Sequence, residues 1–196
     1  MSRLKQILKQ SYVLASKSPR RAELLKQIGL KFVTVDSDIE ELEERYHDPL
    51  SLVKYNSLSK SRKVSFDYKK EIVIGADTIV VLGKEILNKP KSTTQAKEYL
   101  NKLSNKKHFV ITGFNIVNTK NGNEIFDYEK TTVYFRKLGQ DEINYYVRHF
   151  KPMDKAGAYG IQDEFGCLFI KKIEGDYYNI IGLPLAKLYE NLLKII

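Results

Sequence analysis

The chain predicts a mixed α/β fold, and three observations carry that prediction. Short apolar runs such as "YVLA" and "EIVIGADTIVVL" alternate with segments whose apolar residues recur at helical spacing. Proline, serine and aspartate stand where helices would start, and glycine where they would stop. Two long strand-like runs flank Asn121-Gly122, a tight-turn dipeptide, which adds antiparallel strands to a strand–helix succession.

Each element has its own reason. Tyr12 to Ala15 reads as a short buried strand, and Arg20 to Ile28 as a helix with Leu24, Leu25 and Ile28 on one face. Pro19 opens that helix and Gly29 stops it. "KFVTVD" alternates as a strand does. Asp48 caps and Pro49 opens a second helix, running to about Lys63. "EIVIGADTIVVL" reads as two apolar runs broken at Gly75-Ala76-Asp77-Thr78. Ser92 and Gln95 have capping-box spacing before a helix striped by Ala96, Leu100 and Leu103. His108 to Arg136 forms a long hairpin, and Asp141 to His149 a helix. "AGAYGIQDEFG" is a glycine-punctuated loop. "CLFIKKIEG" reads as a strand with Cys167 in the core, and Pro184 opens a helix through Leu193. No repeat and no linker rich in Pro, Gly or Ser interrupts residues 1–196, so a single domain is expected.

Composition narrows the function classes. With 42% hydrophobic and 29% charged residues, the 196-residue chain reads as an ordinary soluble globular protein. No apolar run is long enough to span a bilayer, and "MSRLKQILKQ" lacks a signal-peptide core. The single cysteine forbids an internal disulfide and fits a reducing compartment, so the cytoplasm is the expected location. The net charge of +9 favours polyanionic partners, but the lysines are scattered without a basic arm or repeat, and solubility is the better account of the bulk charge. The aromatics form no cluster of the kind that stacks bases, which weighs against nucleic acid as partner.

Several segments can carry chemistry, each with a bland alternative. Ser16-Lys17-Ser18-Pro19-Arg20-Arg21 joins a strand to a helix N-terminus, where free amides, hydroxyls and guanidinium forks suit a phosphate. It equally reads as a Ser-Pro cap with two solvated arginines. Asp77, placed at the end of a buried strand, can act as general base, metal ligand or nucleophile, or simply bond its own turn. Ile79 and Val80 stand where a phosphoryl-accepting nucleophile would want a second aspartate, which favours base or metal ligand. Asp38, Glu40 and Glu41 offer oxygens to a hard cation or form a solvated acidic loop. Lys60 and Lys89 are by default surface lysines, although Pro90 holds Lys89 extended. In "DKAGAYGIQDEFG" Gln162 can read a base edge, or the glycines simply make turns. His47, His108 and His149 lack metal-site spacing.

Taken together, "LASKSPRRAELLKQIG", "IGADTIVVLGKEILNKP", "ITGF", "TTVYF" and "DKAGAYGIQDEFGCLFIKKIEGDYYNIIGLPL" resemble the Maf family of nucleotide pyrophosphatases over nearly the whole chain. The resemblance implies an elongated two-lobed α/β structure with a central cleft, related to inosine-triphosphatase-like enzymes. It implies hydrolysis of nucleoside triphosphates to monophosphate and pyrophosphate with a divalent metal, Mg²⁺ or Mn²⁺. By motif, Asp77 would activate water, and Asp77 with Glu41 would face the metal. Ser16, Ser18, Arg20, Arg21, Lys60 and Lys89 would hold phosphates. Arg20, Thr78 and Gln162 match the pattern of the branch preferring dTTP and UTP over 7-methyl-GTP. "YNSLSKSRK" departs from the family's commoner A-x-x-K-A around Lys60, and the acidic run allows Glu40 in place of Glu41. Many members are associated with septum formation, for which these residues give no physical reason. Two other readings compete: a non-hydrolytic nucleotide- or nucleic-acid-binding regulator of cell division, and a phosphomonoesterase using Asp77 covalently. A homodimer is the default assembly.

Overall fold

In a computed structural model describing residues 2–42 and 48–196, the expected strands and helices occur in the expected order. Arg3–Lys9, Glu85–Leu87 and Tyr177–Ile181 add a helix, a strand and a helix that the sequence reading lacks. His47, Glu43 and Glu44 lie outside the described residues. The elements are α1 (Arg3–Lys9), β1 (Ser11–Ala15), α2 (Pro19–Gln27), β2 (Lys31–Val35), α3 (Pro49–Ser65), β3 (Ile72–Leu82) and β4 (Glu85–Leu87). After these come α4 (Thr93–Leu103), β5 (Lys107–Asn118), β6 (Glu124–Phe135), α5 (Gln140–Phe150), β7 (Ile170–Glu174), α6 (Tyr177–Ile181) and α7 (Leu185–Ile195). The strands hydrogen-bond in the order β2-β1-β3-β5-β6-β7, with β4 on β3. β1 runs parallel to β2 and β3, whereas β4 and β7 run antiparallel to β3 and β6, so the sheet is mixed. No helix among the described residues is long and apolar enough to cross a membrane.

The chain divides into two compact units, one of Met1–Asp77, Thr112–Glu129 and Gly182–Ile196, the other of Thr78–Ile111 and Lys130–Ile181. In the first, Val13, Ala15, Val64, Val73 and Val117 form a buried cluster. There α3 lies directly on the sheet because two strand glycines leave room for it. A Cβ at Gly75 would stand 2.5 Å from the Ser57 carbonyl oxygen and 2.7 Å from the Ser61 nitrogen. At Gly113 it would meet Val53 Cγ2 at 2.9 Å. Ser57 and Ser61, both fully buried, are small enough for that approach and bond back to α3's own carbonyls.

The second unit is built around aromatic side chains, with Phe135, Tyr146, Tyr159 and Phe169 in one buried cluster with Leu100, Leu103 and Val147. His108 sits among them edge-on to Phe135 and Tyr159 and is only 1% exposed. Its Nε2 lies 2.8 Å from the Tyr159 hydroxyl, and Nδ1 has no partner among the described residues. Burial lowers its pKa from 6.5 to about 3. The folded chain therefore keeps this imidazole neutral while the unfolded chain protonates it below about 6.5. Stability is unaffected above that pH and falls on acidification towards pH 3, by up to ~1.4 kcal/mol per pH unit. Urea unfolding between pH 4 and 7 should show this slope in the parent and lose it in His108→Phe; equal slopes would refute the account.

Two sequence expectations need correction. β3 is one continuous strand of 11 residues with no break at Gly75–Thr78, so Asp77 stands mid-strand and not at a strand end. The apparent break reflects polar residues whose partners lie on another element. β1 stops at Ala15 opposite Gly75, so Asp77 still lies just past the carboxyl end of its neighbour. Cys167 is exposed, in the 3₁₀ turn Gly166–Phe169, and the strand starts only at Ile170. Arg136 causes the delay: its Nε donates to the Leu168 carbonyl (2.6 Å) and its amide to that of Phe169, folding the turn so that Phe169 is buried.

Candidate active site

At the end of β1 the chain turns into α2. Ser18 caps the helix, its hydroxyl accepting from the Arg21 amide, and Pro19 at the first turn has no N–H to satisfy. The first turn carries no acidic residue, so its positive end is uncompensated locally. Ser16 Oγ accepts from the Ser18 amide (3.2 Å) and from Arg21 Nη1 (3.1 Å). Arg21 is turned inward, with Nε donating to the Gly182 carbonyl (2.8 Å). Burial pulls its pKa down while Asp77 and Glu41 hold it up, and it remains a guanidinium. Arg20 is half-buried. Lys17, exposed, pairs with Asp36, which also caps the Asp38 amide.

The second half of the site lies where α3 crosses β3. Asn56 and Lys60 are four residues apart on α3 and so share a face. Lys60 Nζ donates to Asp77 Oδ1 (2.9 Å), to the Ala76 carbonyl (3.2 Å) and to Glu41 Oε1 (2.8 Å). Asn56 Nδ2 donates to Asp77 Oδ2 (3.0 Å). Lys60 is 5% and Asp77 6% exposed, so one buried ammonium is held between two carboxylates. Each of the three ammonium hydrogens thus has an acceptor in Asp77, Ala76 or Glu41. Glu41 reaches Lys60, although both Glu40 and Glu41 are exposed.

Thr78, Lys89 and Gln162 belong to the second unit. Thr78 is half-buried on β3, and Lys89 is exposed just after β4. The Gly157 amide donates to the carbonyl of Asn88 (3.3 Å), the residue before Lys89. Gly157 has φ +69°, and a Cβ there would stand 2.9 Å from Val80 Cγ2, which explains this glycine. The loop beyond it is ordered by Tyr146, whose hydroxyl donates to Asp163 Oδ2 (2.6 Å) and accepts from the Gly160 amide (3.2 Å). Gln162 is exposed and makes no hydrogen bond among the described residues. The structure thus joins Ser16 to Arg21, and Glu41 and Asp77 to Lys60.

A family model described as a Maf-like protein matches residues 11–195. The chain belongs to the Maf family. The dTTP/UTP pyrophosphatase of Alkaliphilus oremlandii is 48% identical to this Maf-family chain over 177 residues, covering 90% of this chain and 91% of that protein. Those of Dictyoglomus thermophilum and Clostridioides difficile are 44% and 40% identical, covering 92% and 93% of this chain and 94% and 93% of theirs. Among solved structures, the Staphylococcus aureus Ham1 protein overlaps at a TM-score of 0.46 with 15% identity, over 64% of this chain and 72% of that one, too little to argue from.

Two features of this Maf-family site escaped the sequence. Asn56 was not singled out, because its partners are 14 and 21 positions away and nothing local marks it. The inward turn of Arg21 was equally hidden, since its carbonyl partner is 161 positions on. As for a metal, Asp77 and Glu41 present hard oxygens on either side of the Lys60 ammonium, and no group of three His, Cys, Asp or Glu able to hold a metal occurs among the described residues. That donor set fits Mg²⁺ or Mn²⁺, with one or two carboxylates from the protein and the remaining positions left to phosphate and water.

Proposed function

We propose that this chain hydrolyses nucleoside triphosphates, dTTP and UTP foremost, to the monophosphate and pyrophosphate. The observation that carries the reading is the buried Asp77 carboxylate, held through both oxygens just past the end of β1, in a Maf-family chain. Each oxygen accepts one hydrogen bond and keeps a lone pair for a water proton. Water oxygen bonds to the α-phosphorus, the bond to the bridging oxygen breaks, and Asp77 takes the proton. A divalent cation, when bound by Asp77 and Glu41, would neutralise charge on the departing pyrophosphate. Ser16, Ser18, Arg20 and Lys89 receive phosphate oxygens, Arg21 supplies fixed positive charge from behind Ser16, and Lys60 keeps the carboxylates apart without repulsion. Arg20, Thr78 and Gln162 select the base. The free, exposed Cys167 suits a reducing cytoplasm.

The test is a product-resolved assay with Mg²⁺ or Mn²⁺ on dTTP, UTP, CTP, ATP, GTP and 7-methyl-GTP. Pyrophosphate released chiefly from dTTP and UTP is expected. Turnover centred on 7-methyl-GTP would keep the chemistry and overturn the base preference; orthophosphate as first product, or no turnover, would overturn the reaction.

A further inference from the structure

The geometry points to Asn56 as the positioning residue that fixes the Asp77 carboxylate and ties the Glu41 segment to it, an inference that rests on Asp77 being the base. Asn56 is 2% exposed, and its amide is used almost completely. One Nδ2 hydrogen goes to Asp77 Oδ2 (3.0 Å) and the other to the Leu42 carbonyl (3.2 Å), while Oδ1 accepts from the Leu42 amide (3.0 Å). The orientation of the amide is determined by its partners: a carboxylate can only accept and a backbone N–H can only donate.

Two consequences follow from this one side chain. The terminal torsion of an aspartate is broad and two-fold, so a single partner would leave the carboxylate plane free to swing. Here Lys60 holds Oδ1 and Asn56 holds Oδ2 from the same face of α3, which locks the plane and leaves the remaining lone pairs aimed in fixed directions. Leu42 directly follows Glu41, the second carboxylate on Lys60, so the two bonds to Leu42 also set where Glu41 stands relative to Asp77. A leucine has the same branching with bulkier methyl groups and supplies neither restraint.

Asn56→Leu and Asn56→Asp separate the two restraints. The aspartate variant retains an acceptor for the Leu42 amide but, as a carboxylate, donates to neither Asp77 nor the Leu42 carbonyl. It also adds like charge beside Asp77, so its kcat is read above and below the pH at which the pair shares a proton. The leucine variant loses every one of these bonds. For Asn56→Leu we expect kcat to fall roughly 10–100-fold with KM within about twofold, together with lost hydrogen-exchange protection at the Leu42 amide. For Asn56→Asp, the nearly isosteric variant, protection at Leu42 should persist while kcat still falls. Melting temperatures are recorded alongside. The proposal is overturned if either folded variant keeps kcat within twofold, or raises KM alone, while Asp77→Asn abolishes turnover. If Asp77→Asn itself turns over normally, the assignment of the base fails instead, whatever the Asn56 variants do.

Discussion

Asp77→Asn is expected to lower kcat by roughly 10²–10⁴-fold, the scale on which a positioned acid–base group acts. The new amide keeps the volume of the carboxylate but cannot accept a proton from water. Nor can it face its neighbours comfortably: Lys60 and Asn56 both present donors to the two oxygens, so an NH₂ at either position meets another donor. Glu41 still balances Lys60, which limits the penalty of leaving a buried ammonium partly unpaired. Without divalent metal, affinity for a non-hydrolysable α,β-methylene analogue of dTTP should be unchanged or tighter, because a negative charge has been removed beside the phosphates. Turnover and thermal unfolding are measured on the same preparation. A variant that melts as the parent does and retains kcat within threefold would remove Asp77 from its assigned role.

The second large effect is on stability. Gly75→Ala places a methyl group 2.5 Å from one backbone atom of α3 and 2.7 Å from another, and backbone cannot swing aside as a long side chain would. Either β3 or the whole of α3 must move. Overpacking of this kind costs about 3 kcal/mol or more, which for a chain of this size lowers Tm by roughly 6–12 °C. Because α3 carries Asn56 and Lys60, its displacement also pulls both donors away from Asp77, and kcat should fall along with Tm. Calorimetry with parallel kinetics checks this; an alanine variant with unchanged Tm would mean that the α3–β3 approach is looser than described. Gly83, with no atom within 4 Å of its hypothetical Cβ but φ +63°, is a useful control for conformational strain without crowding.

How much of this was legible beforehand depended on where each residue's partner lies. α2 could be read almost to its ends, because Ser18, Pro19 and Gly29 act on neighbours within three residues. The β5–β6 hairpin was equally plain from its turn, where Gly122 takes a positive φ. β3 was misread for the opposite reason. Aspartate is depleted in strands, so "GADT" looks like a turn unless one knows that Lys60 and Asn56 arrive from α3 to satisfy the carboxylate. Cys167 was misplaced because its neighbours Leu168 and Phe169 are apolar in sequence, yet Arg136 draws the Leu168 carbonyl outward and folds a 3₁₀ turn. Of the candidate site, the motifs pointed to Ser16, Arg21, Lys60 and Asp77, and the resemblance linked Glu41 to Asp77. The division of labour between Lys60 and Asn56 needed coordinates, since it depends on a helix crossing a strand.

The bond from Arg21 to Gly182 bears on the order of synthesis. A ribosome delivers Arg21 early, and 161 further residues must follow before its carbonyl partner exists. The unit containing Arg21 is stitched from three separate stretches, and the other unit is assembled from the two stretches between them. A nascent chain stalled short of Gly182 therefore holds every motif residue of the proposed site but lacks the carbonyl that Arg21 Nε reaches.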